Sequence, residues 1–212
     1  MNQPLSMNNQ ATDEQVVVKS ATSRSRWTLF LVIAVCAAPV ILSYLSYYWI
    51  KPEGRTNYGT LLDPRLFPMP AMMLSRVENS APAQIQDTNG KWRMLMVTDA
   101  PCTQQCEATL YQIRQLRLMQ GKEQSRIERI WLITDQYQPP VAQLEAVAGM
   151  HVLRADATPL NKWLPVEQGK APAMYWYLLD PLGNLVMRYP IGSNTVKIKK
   201  DISKLLKASG IG

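Results

Sequence analysis

Two kinds of hydrophobic pattern divide the chain. From Thr28 to Ile50 the sequence reads TLFLVIAVCAAPVILSYLSYYWI, a run of 23 residues without a charge. Wound as a helix, such a run crosses a hydrocarbon layer roughly 30 Å thick. Trp27 before it and Tyr47, Tyr48 and Trp49 at its end are amphipathic rings suited to the boundary between water and lipid. Arg24, Arg26 and Lys51 mark the two edges. The pattern predicts a transmembrane helix over 27–50 behind a cytoplasmic tail at 1–26. A cleaved signal peptide fits poorly, because its apolar core spans only about 7–15 residues. The stretch IAVC, ending at Cys36, resembles a lipidation box, but Val35 stands where a small residue is expected. The plainer reading of Cys36 is a small residue facing lipid or another helix.

Beyond the apolar run the periods shorten. Residues 51–81 are rich in Pro and Gly, lack periodicity, and read as a linker and lead-in. The segments 83–86 and 92–98 flank an Asn-Gly turn signal at 87–90, which predicts a β-hairpin. A helix is expected from about Thr103 to Gln120, with Cys106, Leu110, Ile113 and Leu116 as an inward stripe and Gly121 ending it. RIERIWLIT (126–134) is apolar enough for a strand inside a sheet. A short helix over 140–149 and a brief strand over 151–154 follow. A second hairpin pairs 174–179 with 184–189 across a turn at 180–183, and KIKKDISKLLK (197–207) closes the chain as an amphipathic helix. Helices that separate successive strands force crossovers and cover both faces of a sheet. The expected fold is therefore α/β: a thioredoxin-like three-layer domain over 82–212, with an antiparallel hairpin at one edge and one transmembrane helix before it.

Composition adds limits. At 212 residues, 47% hydrophobic and 18% charged, the chain has room for one ordinary domain plus the apolar run. The net charge of +7 is spread along the sequence and is densest in 197–207. That cluster reads as a solvated helix face, with anionic headgroups or an acidic partner as the alternative. No basic and aromatic constellation accompanies it, so nucleic acid is not an expected partner. Lys19, Arg24 and Arg26 before the span balance Lys51, Arg55 and Arg65 after it, so charge does not orient the helix. A single N-terminal span before a folded domain usually leaves that domain outside the cytoplasm.

The chemistry lies in PCTQQCE, where Cys102 and Cys106 stand four apart at a strand-to-helix junction. Both sulfurs then project from one face of the first turns. Helix amides and the helix dipole lower a thiol pKa and favour exchange. Two thiolates within reach of each other also suit Cu(I). A structural zinc site needs four ligands, and two more are not in view. A permanent staple is the duller reading, although so short a loop gains little from cross-linking. Asp99 and Glu107 flank the pair as candidates for tuning thiol pKa, or simply as solvated loop and helix-terminal charges.

Taken in order, GKWRMLMVTD, PCTQQCEATLYQIRQL, IERIWLITD and YWYLLDPLGNLVMRYP resemble the Sco/SenC family over roughly 57–206, including NYGTLL after the anchor. The resemblance implies a membrane-anchored thioredoxin-like protein of the bacterial periplasm or mitochondrial inner membrane that helps assemble cytochrome c oxidase. It implies Cu(I) at Cys102 and Cys106, and as partners the membrane and an oxidase subunit or another assembly factor. The expected location is the cell inner membrane, single-pass, with the C-terminal domain in the periplasm. Two departures bear on this. Glu107 stands where the family usually has Pro, and the place of its distal copper-ligand histidine falls near Pro172. The one histidine, His151, reads as a surface or core residue. Pro172 would stand where thioredoxins carry a cis-proline facing the cysteines, or it merely marks a strand start. Met174 is a candidate third sulfur donor, as are Met69, Met72 and Met73, though packing is the plainer reading of each of them. Copper transfer, thiol-disulfide oxidoreductase activity and a non-catalytic scaffold with vestigial cysteines all remain open at this point.

Overall fold

A computed structural model describes residues 23–48, 57–88, 90–99 and 101–211. Residues 1–22 of the expected tail, Trp49, Ile50, the linker residues 51–56 and Asn89 of the proposed turn lie outside the described residues. The chain divides into two compact units, Met1–Gly54 and Arg55–Gly212.

The first unit contains helix α1, Ser23–Tyr48. Its Arg26–Tyr48 stretch is long and apolar enough to cross a membrane, with a mean hydropathy of 2.4. Cys36 is exposed on it. Pro39 lies inside the helix.

The second unit opens with three short strands: β1 (Thr60–Leu61), β2 (Leu74–Arg76) and β3 (Pro82–Ala83). Strand β4 (Trp92–Thr98) leads into α2 (Gln104–Leu118), then β5 (Ile127–Ile133), α3 (Val141–Ala146) and β6 (His151–Ala155). Helix α4 (Ala157–Trp163), the hairpin β7 (Tyr175–Leu179) and β8 (Leu185–Pro190), and α5 (Thr195–Ala208) complete it. Among the described residues the strands form one sheet in the order β1-β8-β7-β4-β5-β6-β2-β3. β4, β5 and β6 are parallel, β7 is antiparallel to β4, and β8 is antiparallel to β7.

Each face of the sheet buries its own core. Met94, Met96, Trp131, Trp176 and Leu178 meet α2 and α5 through Leu110, Ile113, Ile198 and Ile202. On the other face Leu95, Val97, Leu132 and Tyr177 meet Leu160 and Trp163 of α4, with Phe67, Met69 and Met72 packed at its margin. Alternate residues of each central strand enter opposite layers, so a strand buried on both faces shows no polar alternation. All seven residues of β4 are buried.

The hairpin expected from 83–86 and 92–98 does not form. β3 pairs with β2, residues Ile85–Thr88 make a 3-10 turn, and β4 lies inside the sheet between β7 and β5. Ile85 is buried within that turn, and the Thr88 hydroxyl donates to its carbonyl at 2.7 Å. The segment read as a lead-in also contributes β1 and β2 to the sheet. It is fastened to α5: the buried Asp201 carboxylate accepts the amides of Tyr58 and Gly59 at 2.8 and 2.9 Å. A Cβ on Gly59 would collide with the ring of Tyr189, which itself stacks on Trp176 at 4.4 Å.

Candidate functional site

The C-terminal end of β4 delivers the chain to the mouth of α2. Thr98 is buried there, accepting the Trp131 indole N–H at 2.9 Å and, through its carbonyl, the Thr134 amide at 2.9 Å. That anchorage fixes the loop leading to Cys102. Thr103 caps α2, and its hydroxyl oxygen accepts the Cys106 amide at 3.4 Å. Cys102 therefore precedes the cap and Cys106 sits in the first turn. The two are joined as a disulfide with a Cα–Cα separation of 5.2 Å. Cys106 is 8% exposed and belongs to the core beneath α2, whereas Cys102 is half-buried at its edge. On a helix, residues 106, 110, 113 and 116 share one face, which is why the inner sulfur is drawn into the apolar layer.

The bond lies between two cavities. One, of about 360 Å³, is lined by Cys106, Met96, Thr98, Asp99, Ala173 and Met174, among others. The second, of about 590 Å³, runs between α2 and α3 and includes Cys102, Leu110, Tyr111 and Tyr137. Lys170 lines the first cavity, but Glu167 holds its ammonium at 2.8 Å. That hydrogen bond raises the lysine pKa and lowers that of the glutamate. On the other side Glu107 accepts from Gln143 Nε2 at 3.0 Å, and Gln143 accepts from the Tyr137 hydroxyl at 3.0 Å. Glu107 thus faces the groove beside Cys102, and Asp99 faces the cavity beside Cys106.

The remaining candidates scatter. His151 opens β6 with its Nε2 3.6 Å from Glu128 Oε2, and it shares a small recess with Arg76 and Ile85 rather than with the cysteines. Met69 and Met72 pack on the opposite face of the sheet from Cys106, and Met73 is exposed. Met174 does reach the cavity of Cys106 and is half-exposed there. Pro172 corrects an expectation. No cis peptide occurs among the described residues, and Pro172 begins the 3-10 turn Pro172–Met174 ahead of β7, where a proline at the first position needs no amide partner. It marks a strand start. Among the described residues no group of three or more His, Cys, Asp or Glu side chains is placed to hold a metal ion.

Sequence reasoning missed the groove and the bridge from Tyr137 through Gln143 to Glu107. Residues 107 and 143 meet only through the packing of α3 on α2, and no local spacing announces such a contact. The cap at Thr103 did leave a signal, a Thr directly before a helical stripe.

The comparisons agree with this architecture. Residues 92–209 match the family model described as transmembrane-like, thioredoxin-like, C-terminal domain. A SCO1/SenC family lipoprotein from Bacillus anthracis str. Ames is similar in structure, with a TM-score of 0.51 and 16% identity over 70% of this chain and 98% of that one. Yeast Sco1 with copper bound gives 0.53 and 14% identity, covering 70% of this chain and 96% of that one. No curated protein matches the sequence. The fold is thus shared with Sco structures, and the chain belongs to the transmembrane-like, thioredoxin-like C-terminal domain family.

Proposed function

We propose that this chain is a membrane-anchored, Sco-like protein that assists cytochrome c oxidase maturation through reversible thiol-disulfide exchange at Cys102 and Cys106. One observation carries the reading. The pair is closed as a disulfide at the mouth of α2, with its outer sulfur beside an open groove and its inner sulfur sheltered by the core. That asymmetry suits exchange, which needs one sulfur within reach of a partner and a second to resolve the mixed disulfide. In the reduced state Cys102, next to the capped helix N-terminus, is the nucleophile; its thiolate is favoured by the amides and dipole of α2. Cys106 then closes on Cys102 and releases the partner as a thiol. The apolar helix Arg26–Tyr48 supports a single-pass anchor, and the closed pair supports an oxidising compartment such as the periplasm.

Cu(I) as cargo is a second reading, favoured by Met174 in the cavity of Cys106 and by the likeness to yeast Sco1 with copper bound. Two thiolates and a thioether are soft donors suited to Cu(I). A Cys2His set is not assembled here, because His151 is turned to Glu128. Titrating Cu(I) into the reduced full chain in detergent, and measuring the reduction potential of the pair, separates the readings. Exchange predicts facile, reversible reduction with weak copper retention. Tight stoichiometric copper lost in Cys102→Ser supports the cargo reading instead. Neither property leaves a scaffold.

A further inference from the structure

Resting on the exchange reading, we infer that the groove between α2 and α3 seats a cysteine-bearing segment of the client protein that also carries an acidic side chain, held at Arg114, about four residues from its reacting cysteine. The groove has Cys102 at one end and Arg114 at the other, with Leu110, Tyr111, Tyr137 and Val147 as apolar wall between them. Tyr111 presents a large exposed ring to it. The Cys102 sulfur is bonded to that of Cys106, so the reacting end is placed by Cys106, and from Cys106 to Arg114 is eight helical residues, about 12 Å along the axis at roughly 1.5 Å each. An extended chain rising roughly 3.3 Å per residue covers that span in about four residues.

The far end of the groove is strongly cationic. Arg114 is exposed there, its Nη1 3.4 Å from the Ala146 carbonyl. Behind it Arg129 is only 4% exposed, and its Nη2 donates to the Ala148 carbonyl at 2.7 Å while Nε and Nη1 find no hydrogen-bond partner among the described residues. Burial first, and then the charges of Arg117 and Arg114, pull the Arg129 pKa below the usual guanidinium range. Three guanidiniums thus lie near this end, Glu128 offsets them only in part, and an incoming carboxylate relieves the repulsion that remains. The opposite end has the reverse sign, since Glu107 is held beside Cys102 by Gln143. An acid adjacent to the client cysteine is repelled, and one farther along is attracted. The groove therefore reads spacing as well as charge.

In the direction the closed pair allows, a client thiol loses its proton to solvent and its sulfur attacks Cys102. A client–Cys102 disulfide forms, the Cys102–Cys106 bond breaks, and Cys106 leaves as a thiolate that is protonated by water. A second client thiol then attacks the client sulfur of the mixed disulfide and releases Cys102. The client dithiol is oxidised by two electrons and the pair is reduced.

The test uses the oxidised full chain in detergent micelles and measures reduction rates by synthetic cysteine peptides. One set carries Glu four residues before or after the cysteine, a second has Gln in its place, a third has Glu next to the cysteine, and 2-mercaptoethanol serves as a neutral small thiol. At low salt a distant Glu is expected to raise the rate about fivefold over Gln, as one well-placed ion pair allows, and salt should erode the gain. Arg114→Gln should abolish it, bringing the distant-Glu rate down to that of the Gln peptide. Equal rates for both distant-Glu peptides and their Gln counterparts, with 2-mercaptoethanol still reducing the pair, overturn the groove proposal alone. If no thiol reduces the pair, the exchange reading fails. The groove is then judged by anisotropy with serine-for-cysteine peptides: saturable, Arg114-dependent binding of a distant-Glu peptide supports it, and no binding overturns it.

Discussion

At the scale of single residues, the two sulfurs are not equivalent. Four-residue spacing puts both at the start of α2, but the apolar stripe claims Cys106 for the core and leaves Cys102 at the edge. In reduced protein, the lone thiol of Cys106→Ser should therefore alkylate faster than the lone thiol of Cys102→Ser; mass spectrometry of iodoacetamide time courses checks the order, and equal rates would remove the division into attacking and resolving sulfurs. Gly59 is a second residue whose identity is dictated. Its amide donates to the buried Asp201 carboxylate and its missing side chain makes room for Tyr189. Gly59→Ala should destabilise the domain by about 1–3 kcal/mol, the usual cost of overpacking a filled site, read as a lower urea midpoint with an unchanged slope.

At the scale of elements, α2 depends on its cap. Thr103→Ala removes the oxygen that accepts the Cys106 amide, so it should cost about 1 kcal/mol and lower the thermal midpoint by about 2–4 °C, as calorimetry can measure. The same scale explains what the sequence made legible. β4, β5, β6, the β7–β8 hairpin, α2 and α5 lie close to their expected ranges, because each carries either a buried apolar run or a helical stripe of several turns. The two- and three-residue strands β1, β2 and β3 are too short to show a period at all. The false hairpin has an instructive cause. Asp87 to Gly90 does look like a turn, but a turn signal says nothing about what the next strand pairs with, and β4 is apolar on both faces. Such a strand gains most from the sheet interior, where β5 and β7 flank it. The cysteine pair was readable because its chemistry is local. Its surroundings were not, since Tyr137, Gln143, Ala173 and Met174 arrive from distant elements.

At the scale of the whole molecule, an apolar helix and a two-layered core occur in one chain, and the division between them falls after Gly54. A fragment beginning at Arg55 retains the Tyr58 and Gly59 amides on Asp201 and the β1–β8 pairing. It should fold cooperatively in aqueous buffer. Beginning at Pro64 instead leaves Asp201 buried without those donors, a loss of about 1–3 kcal/mol or more. Comparing the two fragments by urea unfolding tests whether the lead-in is part of the domain or merely a tether.

All of these scales meet in the claim that the Cys102–Cys106 bond opens and closes reversibly in the native protein. Equilibrating the full chain in glutathione buffers of graded potential, trapping free thiols by alkylation and counting them by mass is the most direct measurement. The account predicts a single two-electron transition, with a tenfold change in the ratio of reduced to oxidised pair for each shift of about 30 mV, and both sulfurs alkylated at the reducing end without denaturant. A pair that stays closed and unlabelled until the domain is unfolded would contradict it.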